Sequence, residues 1–215
     1  CYKLELIYYK CEIMTGEIKN INLVFSTPIW TFQIDNHSKV NDEIFKYIKN
    51  LQSEDPIGVK KSNNLGWHSK SFNMYDEEVK KFFQSIQKYI GKAIDDSGWN
   101  NTSNNFSVTS AWTIINVKSS SNSRHIHSNN YISAAYYVKA PKNCGEIVFY
   151  DPRPAPVYSH PRANKPNTYN AMVNSINPVE GGLVLFPSYL DHSVNQNLSN
   201  EERIVISFNI NLMLK

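Results

Sequence analysis

Three histidines and one arginine are the residues of this chain whose types and spacing could carry chemistry. His125 and His127 are separated by one residue, and His192 and Arg203 follow much later. Two histidines at positions i and i+2 of an extended segment project to the same side, so one metal ion can contact both. His192 would supply a third imidazole. Neutral imidazole binds Fe, Zn, Cu or Ni, so the spacing predicts a metal site without selecting the metal.

The second half of the chain, which contains these residues, is predicted to consist of β-strands. Short runs rich in Val, Ile, Tyr and Phe alternate there with clusters of Gly, Pro, Asn and Ser. The runs cover residues 106–117, 131–140, 146–150, 171–176, 183–186 and 203–212. Such a pattern is typical of a β-sandwich or barrel. A histidine pair and a distant histidine, all on β-structure, would suit a metal ion at the mouth of a small barrel.

Two amphipathic helices are predicted in the first half, after an extended segment over residues 22–34. The first follows a candidate N-cap, Asn36 or Ser38, and has apolar residues at helical spacing: Val40, Ile44, Tyr47, Ile48 and Leu51. The second runs from about residue 76 to residue 96, with one apolar face and one face of Lys and Gln. We expect both helices to pack on one face of a sheet. The predicted fold class is therefore mainly β with flanking helices (α+β).

Composition limits the function classes. The net charge is only +3, and no run of five or six like charges occurs, so a general nucleic-acid surface is not predicted. Three cysteines are too few for a disulfide framework or a zinc ribbon, which favours a reducing cytoplasm. No apolar run approaches the length of a membrane span. Charged residues interrupt the first thirteen positions, where a signal peptide needs an apolar core.

A chain of 215 residues is predicted to form one domain, over residues 22–215, with residues 1–21 as an N-terminal extension that need not be native. The chain begins with Cys, and Met14 is an alternative start. We therefore assign no function to residues 1–13.

Residues 152–170 are predicted to be a loop over the barrel mouth that selects the substrate. This segment holds five of the ten prolines, at 152, 154, 156, 161 and 166, and loops of such length in a compact domain are often lids. A partly apolar, mildly cationic rim is expected from Trp67, Tyr150, Tyr158, Tyr169, Arg153 and Arg162. We interpret His68 and His160 as surface or loop residues rather than metal ligands.

Short motifs occur along the chain in a fixed order. They are residues 64–69 (NLGWHS), 112–116 (WTIIN), 125–127 (HIH), 133–138 (SAAYYV), 144–153 (CGEIVFYDPR), 186–193 (FPSYLDHS) and 203–209 (RIVISFN). Each motif alone is weak, and the set is specific because of its order. Together the motifs resemble the 2-oxoglutarate/Fe(II)-dependent oxygenases found in bacteria and marine phages, and the similarity covers roughly residues 22–212.

The resemblance implies a double-stranded β-helix (jelly roll) that holds one Fe(II), with 2-oxoglutarate as co-substrate and O2 as oxidant. His125 and His192 match the family's first and distal metal ligands. Arg203 matches the cation that pairs with the far carboxylate of 2-oxoglutarate, and a guanidinium fork suits that bidentate task. Ser207, Asn116 and Tyr137 are expected to add co-substrate contacts. The implied reaction is hydroxylation of an unidentified small molecule or peptide side chain.

The third ligand departs from the superfamily pattern. An acid is usual two residues after the first histidine, and this chain has His127 there. Asp151 is the nearest downstream carboxylate, and an Asp-Pro turn is its ordinary structural role. Asp191 would point away from His192 if the segment is extended. We therefore predict that His125, His127 and His192 bind the iron, with Asp151 as the alternative to His127.

Two other functions compete with an oxygenase. One is a cupin-like metal protein without 2-oxoglutarate, although the glutamate that should follow the HxH is missing and Arg203 would have no task. The other is a non-catalytic binding module that a closed metal site stabilises. The expected partners are 2-oxoglutarate, O2 and an unknown substrate, with no nucleic acid and no membrane. The oligomeric state stays open, a homodimer being one option.

Overall fold

The computed structural model describes residues 22–99, 106–154 and 161–212, which form two helices and eleven strands. Tyr158 and His160 lie outside the described residues. In chain order the elements are β1 (Trp30–Gln33), α1 (His37–Glu54), β2 (Asn63–Asn64), β3 (Trp67–His68), α2 (Glu77–Asp96), β4 (Phe106–Asn116), β5 (Ser121–His125), β6 (Ile132–Lys139), β7 (Ile147–Tyr150), β8 (Val173–Ile176), β9 (Gly182–Pro187), β10 (His192–Val194) and β11 (Arg203–Leu212).

The strands form two antiparallel sheets. The larger sheet has six strands in the order β1-β9-β6-β11-β4-β3, and the smaller has five in the order β2-β5-β10-β7-β8. Neighbours within each sheet are mostly distant in sequence, so residues from the two ends of the chain meet in one sheet. The prediction of a mainly β fold with two N-terminal helices is confirmed.

Strand β11 shows how one strand serves two environments. Ile204, Ile206 and Phe208 are fully buried in the cluster that also contains the apolar faces of both helices. The alternate residues, Arg203 and Val205, line a cavity on the opposite face. Because side chains of a strand alternate between faces, the helices can cover one side of the large sheet while the other side builds a site.

The helices form where their apolar periodicity predicts them. In α2, Val79, Phe82, Ile86 and Ile90 are buried against the large sheet, while the Lys and Gln residues face outward. In α1, Asn36 occupies the N-cap position but its side chain makes no capping hydrogen bond. No helix among the described residues has the length and apolar character to cross a membrane.

Candidate active site

The three histidines meet between β5 and β10. His125 ends β5 and His192 begins β10, and the two residues are directly paired across these antiparallel strands. His127 follows β5 by two residues, and its backbone N–H donates to the Ser188 carbonyl at 3.0 Å. The three potential ligand atoms all lie within 4.8 Å of one another. Strand pairing and the i, i+2 spacing together therefore bring the predicted ligands around one point.

Backbone carbonyls orient two of the rings. The Nδ1 atom of His125 lies 2.7 Å from the Ser123 carbonyl, and that of His192 lies 2.9 Å from the Leu190 carbonyl. A carbonyl oxygen only accepts hydrogen bonds, so each Nδ1 must carry the proton. The Nε2 atom of each ring is then left with a lone pair for a metal ion. Such carbonyl partners are the usual second layer around metal-binding imidazoles.

Burial keeps two of the imidazoles neutral. Desolvation, followed by the effects of His192 and His125, lowers the pKa of His127 to about 3. Desolvation, followed by the effect of His125, lowers the pKa of His192 to about 4. The Phe186 ring lies 4.7 Å from His192, and the Trp112 ring lies 5.6 Å from His127, between ring centroids. At neutral pH both imidazoles are therefore uncharged, with one ring nitrogen free of a proton, as metal binding requires.

These pKa values predict that the metal-free protein loses stability as the pH falls from about 6.5 to about 4. Histidine in the unfolded chain titrates near about 6.5. Below that pH the unfolded chain binds protons that the folded chain does not, so the free energy of unfolding decreases until the folded-state pKa is reached. The loss for His192 is on the order of 3 kcal/mol.

Urea unfolding of wild type and His192→Gln between pH 7 and pH 4 measures this effect. The variant removes one titrating imidazole while the carboxylates still titrate in both proteins. We expect a shallower loss of stability in the variant, and equal pH profiles would contradict the assignment.

A cavity of about 860 Å³ adjoins the histidines. Its walls come from β4, β6 and β11 of the large sheet and from β5 and β10 of the small sheet. All four residues predicted to contact the co-substrate line it: Arg203, Ser207, Asn116 and Tyr137. The structure thus brings the predicted metal ligands and the predicted co-substrate residues to one cavity.

Arg203 is a buried cation without a counter-charge in the described structure. Its side chain is 0% exposed, and none of the ion pairs among the described residues includes it. Its NH1 group donates to the carbonyls of Cys144, Gly145 and Asn195, while its Nε is buried without a partner. Burial lowers the pKa of Arg203. Because an unpaired buried charge is costly, an anionic ligand would stabilise this arrangement.

Asn116 is paired with Arg203 across β4 and β11, and like Arg203 it has buried polar atoms without hydrogen-bond partners in the described structure. Both polar atoms of its side-chain amide are buried without a hydrogen-bond partner in the described structure, as is the indole N–H of Trp112. An unsatisfied buried polar group costs about 1 to 3 kcal/mol. Burial raises the pKa of Tyr137, so its hydroxyl remains protonated. This wall therefore offers donors to a ligand with acceptor oxygens.

Gly145 shapes the carbonyl cradle that holds NH1 of Arg203. Its φ is +88°, and a Cβ atom there would overlap the Asn195 carbonyl, which also accepts from Arg203. We expect Gly145→Ala to destabilise the fold by more than about 1 kcal/mol and to weaken 2-oxoglutarate binding.

Gly98→Ala is the matched control, since Gly98 also has a positive φ, +62°, but has open space around its Cβ position. Urea unfolding and 2-oxoglutarate titration of both variants measure the difference. If Gly98→Ala weakens co-substrate binding as much as Gly145→Ala does, the cradle has no such role.

Neither of the two aspartates considered as ligands joins the histidine cluster. The Asp151 carboxylate accepts two hydrogen bonds from the guanidinium of Arg153, at 3.0 Å and 2.8 Å. The Asp191 carboxylate accepts from Nε of Arg124 at 2.6 Å. The group of described residues that could hold a metal contains only the three histidines. The geometry therefore favours His127 over Asp151.

The expected rim differs from the cavity wall in the structure. Trp67 belongs to the hydrophobic core, and its indole N–H donates to the Asp55 carbonyl at 2.8 Å. None of Tyr150, Arg153, Arg162 and Tyr169 lines the cavity, and neither does any other described residue of the segment 152–170. Besides the sheet residues, the described lining of the cavity includes members of the segments 59–71 and 122–124. The predicted rim residues are therefore not part of the described cavity lining, and their role in substrate selection stays a prediction.

The interpretation of His68 as a surface residue is wrong. His68 is 7% exposed, lines the cavity and stacks on Trp112, with ring centroids 5.7 Å apart and planes 8° from parallel. Its Nδ1 lies 2.7 Å from the Ser69 carbonyl. The sequence signal was the NLGWHS motif, in which Trp67 and His68 form a two-residue strand, β3, paired with β4. Pairing with a cavity-lining strand is what places His68 at the site.

Residues 110–209 match the model of a family described as "Putative 2OG-Fe(II) oxygenase". This segment contains His125, His127, His192 and Arg203. The resemblance noted in the sequence is confirmed. The prediction of an oxygenase that uses Fe(II) and 2-oxoglutarate is confirmed with it. A search of curated proteins found no match.

Solved structures with the same fold cover most of the chain at low sequence identity. A prolyl-4-hydroxylase from Pseudomonas putida has a TM-score of 0.60 and 12% identity, over 88% of this chain and 95% of that one. The viral collagen prolyl hydroxylase of Paramecium Bursaria Chlorella virus-1, in a 2OG complex, has a TM-score of 0.58 and 13% identity, over 86% and 96%. HygX from Streptomyces hygroscopicus, with nickel and 2-oxoglutarate bound, has a TM-score of 0.58 and 9% identity, over 87% and 84%.

Proposed function

We propose that the protein is an Fe(II)/2-oxoglutarate-dependent dioxygenase that hydroxylates a small molecule or a peptide side chain. The observation that carries the proposal is the cavity that joins three converging imidazoles to a fully buried arginine without a counter-charge. A metal ion fits the first group of residues, and a carboxylate fits the second. The family match names the same two partners.

His125, His127 and His192 would hold the iron. Bound Fe(II) would supply the activation of O2, with 2-oxoglutarate oxidised to succinate and CO2 while one oxygen atom enters a substrate C–H bond. Imidazoles bind a metal ion in their neutral form, so a site of three imidazoles would keep the +2 charge of the ion. A 2-oxoglutarate dianion neutralises that charge, which favours its binding beside the metal.

The cavity wall would bind and orient the co-substrate. The Nε–H of Arg203 and the amide of Asn116 are buried donors without partners in the described structure, and Ser207 lines the same wall. The far carboxylate of 2-oxoglutarate can accept from them in bidentate fashion. Val205, Ala135 and Phe186 supply apolar surface around these groups and limit the access of water.

The proposal also includes the arrangement of the two sheets and the extent of the domain. We assign the two sheets to a double-stranded β-helix, which the likeness to solved 2-oxoglutarate oxygenases supports. Residues 22–215 would form one catalytic domain that acts in the cytoplasm. In the cupin-like alternative Arg203 would have no ligand, so its buried charge favours the oxygenase.

Formation of succinate from 2-oxoglutarate tests the function. Purified protein with Fe(II), ascorbate and 2-oxoglutarate is expected to produce succinate in air, even without substrate, through uncoupled turnover. Addition of the true substrate is expected to raise this rate. Omission of Fe(II) or of O2 serves as the control. Succinate formation that is independent of both would contradict the proposal.

A further inference from the structure

Three fixed cations line the cavity in addition to Arg203. They are Lys61, Lys70 and Arg124. Among the described residues that line the cavity, none is an aspartate or a glutamate. The cavity wall therefore has an excess of positive charge beyond the charge needed to bind 2-oxoglutarate.

The three cations differ in how they are engaged. Lys70 pairs with Asp55 at 3.0 Å, and Arg124 pairs with Asp191 at 2.6 Å through its Nε atom. The lysine and arginine side chains of these pairs are 75% and 55% exposed, and such pairs contribute only about 0 to 1 kcal/mol. Lys70 can therefore turn toward a ligand at small cost, whereas Arg124 also lies over the Tyr150 ring, 4.0 Å from its centroid. Lys61 makes no ion pair with any described residue.

Lys61 lies close enough to act on the interior of the cavity. Its charge contributes to the lowering of the pKa of His68, after the larger effect of burial. Its backbone N–H donates to Oδ1 of Asn63 at 2.8 Å, which holds the loop before β2 in place. Lys61 is exposed and lines the same cavity as His68 and Trp112, so its flexible side chain can reach a ligand held beside these rings.

His68 and Trp112 form an aromatic wall of the cavity. The two rings are nearly parallel, and Trp112 also contacts His127, with ring centroids 5.6 Å apart. A row of aromatic rings therefore leads from the metal ligand His127 through Trp112 to His68, and these rings line the same cavity as the cations. An apolar body could pack along these rings, and a charge at its end would then reach Lys61.

With 2-oxoglutarate assigned to Fe(II) and Arg203, the described lining cations that remain for the substrate are Lys61, Lys70 and Arg124, of which Lys61 alone has no carboxylate partner among the described residues. We propose that the substrate is an acidic small molecule, whose carboxylate or phosphate group binds to Lys61 with support from Lys70 and Arg124. Its body packs along Trp112 and His68 toward the metal ligands. This assignment rests on the proposed oxygenase function, since it uses the space beside the bound co-substrate.

Four probes of similar shape and different charge test the assignment: benzoate, phenyl phosphate, benzamide and benzylamine. Each is titrated calorimetrically into anaerobic protein saturated with Fe(II) and 2-oxoglutarate. We expect benzoate or phenyl phosphate to bind at least about 10-fold more tightly than benzamide and benzylamine, which corresponds to about 1.4 kcal/mol. The preference is expected to decrease with added salt, because exposed charges are screened. Comparison of benzoate with phenyl phosphate distinguishes a carboxylate substrate from a phosphate substrate.

Charge variants at neighbouring lysines assign the effect to one residue. Lys61→Met is expected to remove most of the anion preference, and Lys61→Glu is expected to reverse it in favour of benzylamine. Lys60→Met is the matched control, since Lys60 is exposed and does not line the cavity. Thermal unfolding of each variant checks that the fold is retained.

Equal binding of the neutral or cationic probes, no binding of any probe, or an equal loss in Lys60→Met would overturn the assignment. Saturation with 2-oxoglutarate is verified in the same samples by its own titration. If 2-oxoglutarate itself does not bind, the oxygenase function fails, and this outcome is separate from a failure of the acidic-substrate assignment.

Discussion

His127→Ala is expected to lower the affinity for Fe(II) by about 100-fold or more, whereas Asp151→Asn is expected to leave it nearly unchanged. The loss follows from the structure, in which the ligand atoms of His125, His127 and His192 lie within 4.8 Å of one another. Changes to groups that only orient metal ligands already cost about 10- to 100-fold, so the removal of a ligand should cost at least as much. Anaerobic Fe(II) titration measures the affinity.

Asp151→Asn is the appropriate comparison because it removes the charge and preserves the shape. The native Asp151 side chain is only 7% exposed and pairs with Arg153, so some loss of stability is expected from this variant, and thermal unfolding measures it. His68→Ala is a second control, because His68 lines the cavity but does not belong to the histidine cluster. If Asp151→Asn abolishes Fe(II) binding while His127→Ala retains it, the site is the ordinary triad of two histidines and one carboxylate.

Arg203→Ala is expected to weaken 2-oxoglutarate binding by about 2 to 5 kcal/mol while Fe(II) binding survives. Truncation removes the buried guanidinium whose Nε has no partner in the described structure and leaves the ligand carboxylate unpaired. Arg203→Lys keeps the charge but not the planar fork, so we expect an intermediate loss. Titration of 2-oxoglutarate into the anaerobic Fe(II) protein measures its affinity for the wild type, Arg203→Ala and Arg203→Lys.

Arg153→Ala is the matched control for Arg203→Ala. Arg153 also forms a bidentate contact with a carboxylate, that of Asp151, but it lies outside the cavity lining. Its replacement is expected to leave 2-oxoglutarate affinity unchanged. An unchanged affinity in Arg203→Ala would remove the main support for co-substrate binding at this wall.

The sequence predicts best the helices and strands whose apolar residues recur at a regular spacing over many positions. The alternation of Ile204, Ile206 and Phe208 with Arg203 and Val205 marks β11 and separates its two faces. The helical spacing in α2 does the same. Burial of many apolar side chains fixes such elements, and the pattern of those side chains is visible in the sequence.

Short polar strands follow a different rule. Strands β5 and β10 are not among the apolar runs that predict strands, although the histidines are expected on β-structure and His125 and His192 pair directly across these two strands. Their residues have little apolar periodicity, so tertiary pairing rather than local pattern determines them. The same applies to β3, whose pairing with β4 buries His68, which the sequence indicates as a surface or loop residue.

The candidate site also combines features that the local sequence predicts with features that depend on the folded structure. The i, i+2 spacing of His125 and His127 is sufficient to predict a shared side, since it depends only on local geometry. The deficit of partners at Asn116 and at Nε of Arg203 depends on what surrounds them after folding, so no sequence pattern could indicate it. The position of the cations Lys61 and Lys70 at the cavity depends equally on the packing of residues 59–71.

Anaerobic absorption spectroscopy tests most directly whether this cavity binds Fe(II) and 2-oxoglutarate together. Addition of 2-oxoglutarate to the Fe(II) protein is expected to produce a weak visible charge-transfer band, which requires chelation of the metal by the co-substrate. The band should be absent without 2-oxoglutarate and in His127→Ala, and in Arg203→Ala it should require much higher co-substrate concentrations. Absence of the band in wild type at saturating Fe(II) and 2-oxoglutarate would contradict the account.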